Sequence, residues 1–204
     1  MDQVNQPSLR PLVAAFSLVE LLVVMGITSL LLALAGLGVS KVVPAMELSR
    51  GGQTVSDTIA LARQEASTLN REIQVVFVEL PDGPDKYWSA MQLWRVDETA
   101  DGQLVKPITA LLKLPASVAI TPEPELSPLL VADPSLEGSA NFGGQPNVRY
   151  RGFRFRAGGL PDQSVKAGTN FVTVRRRSDA AAVPQNYYTV QINPITGRTF
   201  IYRP

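Results

Sequence analysis

From Phe16 to Val39 the chain reads FSLVELLVVMGITSLLLALAGLGV, 24 residues in which Glu20 is the only ionisable side chain. Wound as a helix, such a run covers roughly 36 Å, enough to cross a hydrocarbon core of about 30 Å. The run therefore predicts a membrane span. A secretory signal peptide has an apolar region of only about 7 to 15 residues, and a helix in a soluble core is apolar along one stripe rather than all round. Glu20 breaks the pattern, because an acid this deep costs on the order of 2.5 to 3.5 kcal/mol. No Lys or Arg in the run can pair with it, so its partner must be another chain or a newly made N-terminus. Two small residues, Ala14 and Ala15, precede Phe16. A cut between Ala15 and Phe16 would create an α-amino group four residues before Glu20, able to meet Glu20 of a neighbouring subunit.

Phe16-Ser17-Leu18-Val19-Glu20-Leu21 resembles the class III signal of type IV prepilins and type II secretion pseudopilins, in which Phe-Thr/Ser-Leu-Ile/Val-Glu-Leu follows a Gly. The resemblance implies a leader over 1–15, cleavage before Phe16 by a prepilin peptidase that also N-methylates Phe16, and Glu20 at the fifth mature position, neutralising a neighbour's amine during assembly. It further implies a single-pass protein of the bacterial inner membrane, its head in the periplasm, joined to other pilin-like subunits. Two departures stand out: Ala15 replaces the Gly of the pattern, and Arg10 is the only basic residue of the leader, with Asp2 against it. Orientation thus rests on the motif more than on flanking charge.

Composition narrows what the rest can do. Cysteine and histidine are both absent, which excludes thiolate and imidazole metal sites, disulfides, Cys–His and Ser–His–Asp nucleophile systems and imidazole acid–base steps. No cofactor, no metal and no enzymatic activity are expected. The formal charge of +1 conceals a division: residues 42–144 hold 7 basic and 14 acidic side chains, residues 145–204 hold 10 and 2. Acidic and basic faces on one subunit favour head-to-tail contacts, which propagate when rotation does not close.

Beyond the span, over 16–40, the remaining residues 41–204 predict an extracytoplasmic head. Val55, Ile59, Ala62, Ala66 and Leu69 recur at helical spacing opposite Asp57, Arg63, Gln64 and Arg71, an amphipathic helix to lay on a sheet. Pro44 and Gly51-Gly52 predict a kink or melted turn ahead of it. Strands fit Ile73–Leu80 and Tyr87–Val96, a hairpin across Pro81-Asp82-Gly83-Pro84. Prolines interrupt every apolar run from 97 to 147, predicting a long excursion with one strand near Ser117–Thr121. At Val148–Arg156 the apolar parity changes across Gly152, predicting a bulge there. Further strands fit Asn170–Arg176, Tyr187–Ile192 and Arg198–Tyr202, the last two joined by a loop in which Gly197 supplies positive φ. The expected fold is α+β, a long N-terminal helix packed on an antiparallel sheet of six or seven strands. Leu61-Ala62-Arg63-Gln64-Glu65-Ala66 with Asn70, the Phe153–Gly159 segment and Thr196-Gly197-Arg198 are similar to H-type minor pseudopilins; size, leader and helix also resemble the D component of the Verru_Chthon cassette.

Two side-chain groups invite chemistry. Arg149, Arg151, Arg154, Arg156, Arg175, Arg176 and Arg177 could form a basic surface near Tyr150, Phe153 and Phe155. A solvated sheet face ranks first for it, a subunit contact second and single-stranded nucleic acid third. Asp82, Asp85, Asp97, Glu98 and Asp101 could offer oxygen ligands to calcium, but their spacing matches no EF-hand loop and turn carboxylates explain them better. The reading is a minor pseudopilin-like structural subunit; its alternatives are a DNA-binding minor pilin and an uncleaved single-pass anchored domain.

Overall fold

The computed structural model describes residues 17–203 apart from 83, 101, 180, 182 and 183, with side chains described outside 34–42. The leader over 1–15 and the cut-site residues Ala15 and Phe16 lie outside the described residues. The chain divides into two compact units, 1–42 and 43–204, and the architecture is α+β. One helix, α1, spans Leu18–Leu69.

In the first unit, α1 begins where Ser17 caps it: the Val19 N–H donates to Ser17 Oγ at 3.2 Å. The large apolar side chains that follow, from Leu18 through Leu32, are exposed. Thr28 hides its hydroxyl by donating to the Val24 carbonyl at 2.8 Å, the usual way a polar side chain is satisfied inside an apolar helix. Among the described residues no helix is long and apolar enough to cross a membrane. The described side chains of the apolar run stop at Ala33, so the expected span rests on the sequence of Phe16–Val39.

In the second unit ten strands form one antiparallel sheet. They are β1 Glu72–Asp82, β2 Asp85–Thr99, β3 Gly102–Pro107, β4 Leu112–Lys113, β5 Val118–Ile120, β6 Gly138–Phe142, β7 Gln145–Phe155, β8 Phe171–Arg176, β9 Tyr187–Ile192 and β10 Thr199–Tyr202. The order across the sheet is β10-β9-β8-β5-β2-β1-β7-β6, with β3 and β4 also paired to β2. The 15-residue β2 gives one edge to β1 and shares the other among β3, β4 and β5.

Val55, Ile59, Ala62 and Ala66 of α1 are fully buried and pack with Val75 and Phe77 of β1, Leu93 of β2 and Phe153 and Phe155 of β7. Two alanines on that face let the helix come close, while Leu69 at its end is exposed. Ser56 and Thr58 are buried beside the apolar positions; Thr58 donates to the Thr54 carbonyl at 2.7 Å. The rings of Phe153 and Phe155 meet edge to face at 5.4 Å between centroids. The opposite face of β1 carries Val76, Val78 and Leu80 into a second cluster with Ala90, Phe142 and Val148. Trp94 stacks on Phe142 there at 5.6 Å and meets Tyr150 at 5.0 Å.

Four expectations are corrected, the first being the strand count, which is ten rather than six or seven because short strands of the 97–147 segment pair on the edges of β2 and β7. The melted turn predicted between Pro44 and Gly52 is absent, since α1 is helical throughout this stretch. The two glycines serve clearance instead: a Cβ on Gly51 would lie 2.7 Å from Val118 Cγ1, and one on Gly52 would lie 2.9 Å from the Tyr188 ring. Helix propensity lost, about 1 kcal/mol per glycine, is exchanged for close packing of helix on sheet.

The bulge predicted at Gly152 is also absent; β7 pairs with β1 in unbroken register from Ile73↔Phe155 to Val78↔Tyr150. Val148 and Tyr150 serve the second cluster while Phe153 and Phe155 serve the main core, so the parity change reflects a sheet buried on both faces. Register irregularities lie instead in the β1–β2 pairing, between Val78 and Glu79, and in the β6–β7 pairing, between Ala140 and Phe142. Finally, the 97–147 excursion is mostly ordered, holding β3 to β6 and 3-10 turns at Pro128–Val131 and Pro134–Leu136. Its prolines avoid strand interiors: Pro107 and Pro146 lie at strand ends, Pro128 and Pro134 open the 3-10 turns, and Pro115, Pro122 and Pro124 lie in the connections between elements. Leu129, Leu130 and Leu136, which they interrupt, are buried.

Candidate functional site

Glu20 is the third residue of α1, exposed, in the first helical turn. With Ser17 as N-cap, Ser17-Leu18-Val19-Glu20 has the spacing of a capping box, in which a carboxylate at the third position faces the unsatisfied N–H groups of the helix start. S-x-x-E just ahead of an apolar run is the sequence form of this pattern. Surrounding it are Leu18, Leu21, Val23 and Val24, all at least half exposed. An acid set among exposed apolar side chains, next to a helix start, is suited to receive a cation from outside the chain.

The seven arginines do not form one row. Arg149, Arg151 and Arg154 lie on β7 and Arg175 and Arg176 on β8, with β5, β2 and β1 between the two strands; Arg156 and Arg177 follow the strand ends. Most are matched by acids of the middle segment. Glu137 accepts from Arg149 at 3.0 Å and from Arg151 at 3.1 Å. Arg154 pairs with Glu72 at 3.3 Å and Arg175 with Glu123 at 3.6 Å. Arg177 donates to Asp82 and stacks over the Tyr87 ring at 4.5 Å, while Arg151 lies 5.3 Å over Trp88. The acidic middle and basic end of the chain thus meet across the sheet.

Among the calcium candidates, Asp82 is engaged by Arg177 and Asp97 by Arg95 at 2.9 Å. Asp101 lies outside the described residues.

The hydrogen bonds from Arg151 and then Arg149 hold the Glu137 carboxyl below its ordinary range. A carboxylate whose folded pKa is depressed adds stability above its unfolded value, about 4.3 for Glu, and that increment disappears as pH falls through the lower folded value. Glu137→Gln should therefore lower the melting temperature slightly near pH 7, and wild type and variant should converge on acidification. Thermal melts of both across this range check it; a gap that persists below the folded pKa would assign the effect to something other than charge.

Comparison with known proteins adds one decisive observation: residues 10–36 match the family model described as the prokaryotic N-terminal methylation motif. The chain carries a prokaryotic N-terminal methylation motif. The matched segment contains Ala15, Phe16 and Glu20 and runs into the apolar part of α1, and it supports a type IV pilin-like protein processed at its N-terminus. No significant match was found among curated proteins or among solved structures.

Proposed function

We propose that this chain is a structural, non-enzymatic subunit of the minor pseudopilin kind, made with a leader that is cut between Ala15 and Phe16. In this reading a prepilin peptidase releases residues 1–15 and methylates the new amine of Phe16. Residues 16–40 hold the subunit in the bacterial inner membrane and then join the helical core of a type II secretion or pilus-like filament. Glu20 pairs with the Phe16 amine of the adjoining subunit, and the head, 41–204, stands in the periplasm. The observation that carries the proposal is the methylation-motif match over 10–36, which contains Phe16 with a lone acid four residues on. Exposure of the apolar side chains from Leu18 to Leu32 supports it, since such a surface calls for lipid or other helices to cover it. Internal pairing of the head's arginines favours a subunit role over nucleic-acid capture.

Full-length chain expressed with and without a prepilin peptidase, followed by intact-mass measurement, tests the processing step. The expected product with the enzyme lacks residues 1–15 and carries one methyl group on Phe16. Because Ala15 stands where the motif has Gly, Ala15→Gly should be cut faster, with the same product. A chain that keeps Met1 under both conditions would leave a single-pass anchored domain and remove the filament mechanism.

A further inference from the structure

On the sheet face opposite α1, a polar depression of about 370 Å³ is lined by Asn70, Arg71, Glu72, Glu98, Arg154 and Arg156, among others. We propose that it is an oxyanion-binding site. The inference is independent of the N-terminal reading.

Three arginines line this depression, and the bonding of two of them differs from that of most arginines of the sheet. Arg149, Arg151, Arg154, Arg175 and Arg177 each have a carboxylate partner. Arg71 and Arg156 are exposed, and among the described residues neither makes an ion pair. Their forked N–H groups match the paired oxygens of a carboxylate or phosphate. The frame around them is fixed. Asn70 takes a left-handed conformation, φ 49°, which ends α1 and turns the chain directly into β1, so Arg71 is held between two hydrogen-bonded elements. Arg154 is bonded to Glu72 at 3.3 Å and stands opposite Gln74 in the register, so this ion pair forms one wall of the depression and leaves Arg71 and Arg156 as its uncompensated cations. The side-chain amides of Asn70 and of Gln103, which also lines the depression, supply neutral donors.

Glu98 opposes the ligand. It is exposed on the rim, paired in register with Gln103, and its charge weakens the site at neutral pH. The opposition makes the proposal specific. Removing one arginine should weaken binding, and removing the Glu98 charge should strengthen it, each by about two- to fivefold as expected for single exposed charges.

Full-length protein in zwitterionic micelles is titrated at low ionic strength with inorganic phosphate, with tetraglutamate and with chloride, and followed by calorimetry. Saturable binding of phosphate or tetraglutamate, weakened in Arg71→Ala and Arg156→Ala, strengthened in Glu98→Gln and unchanged in Arg50→Ala, is the expected result. Phosphate alone binding assigns a free phosphate group, tetraglutamate alone an acidic side chain, and both a general oxyanion site. A response no stronger than that of chloride, or one that the arginine substitutions leave unchanged, overturns the proposal. All four substituted residues are exposed on the surface, so folding is checked by an unchanged thermal melt.

Discussion

Gly152→Ala should lower the stability of the head by about 3 kcal/mol, the upper part of the range for overpacking a filled interior. A Cβ at Gly152 would lie 2.3 Å from the Val75 carbonyl oxygen, with Val76 Cα also close. The atom in the way is backbone, in the strand that pairs with both β2 and β7, so no rotamer change relieves the clash. Either β7 withdraws from β1, with loss of the Val76↔Gly152 pairing, or β1 moves and disturbs Val75 and Phe77 in the core. For a unit of this size the expected fall in melting temperature is roughly 6 to 12 °C, read by circular dichroism. Gly158→Ala is the contrast: a Cβ there meets nothing within 4 Å, but φ is +90°, so its cost is conformational strain of order 1 to 3 kcal/mol. Equal melting of wild type and Gly152→Ala would mean that β1 and β7 are not in this register.

Under the proposed pairing, Glu20→Ala should leave cleavage and methylation intact and reduce filament incorporation by a factor on the order of 100, because the unpaired amine of the neighbour would then bear the roughly 2.5 to 3.5 kcal/mol cost of a lone charge in a span. The physical reason is mutual: an amine and a carboxylate each carry a large desolvation cost in an apolar surrounding, and each is relieved by the other. In the proposed pairing, removing the carboxylate would leave the amine of the neighbouring subunit uncompensated. Glu20→Gln should fail like Glu20→Ala, because it keeps the shape and a hydrogen bond but not the charge, and Glu20→Asp should recover part of the assembly. Sedimentation of the processed chain with its co-expressed filament reads the outcome. Normal incorporation of Glu20→Gln would refute charge pairing and leave Glu20 only its place in the first turn of α1.

Legibility differed along the chain for physical reasons. The β1–β2 hairpin, β8, β9 and β10 could be read directly because each is a run of β-branched and aromatic residues closed by turn chemistry. Gly197 takes φ 70° in the loop where positive φ was expected. The 97–147 excursion was harder, because its strands are two to six residues long and owe their form to the free edges of β2 and β7 rather than to local preference. Gly51 and Gly52 look like helix breakers in sequence, since nothing local shows that Val118 and Tyr188 will lie against them. The arginines of β7 and β8 were legible as a group but not as ion pairs, because their partners are 12 to 95 residues away.

What the sequence determined by itself is what depends on neighbours along the chain: the apolar run from Phe16, its lone acid four residues on, the Ala-Phe junction, and the alternation that makes most of the strands. What only the tertiary structure decided is what depends on approach between distant segments. It placed a second apolar cluster on the far face of β1, kept α1 helical past Gly51 and Gly52, matched the acidic middle to the basic end, and left Arg71 and Arg156 facing a common depression. Periodicity is carried by covalent order, whereas clearance, pairing and charge matching arise only once the sheet has brought remote residues within a few ångströms.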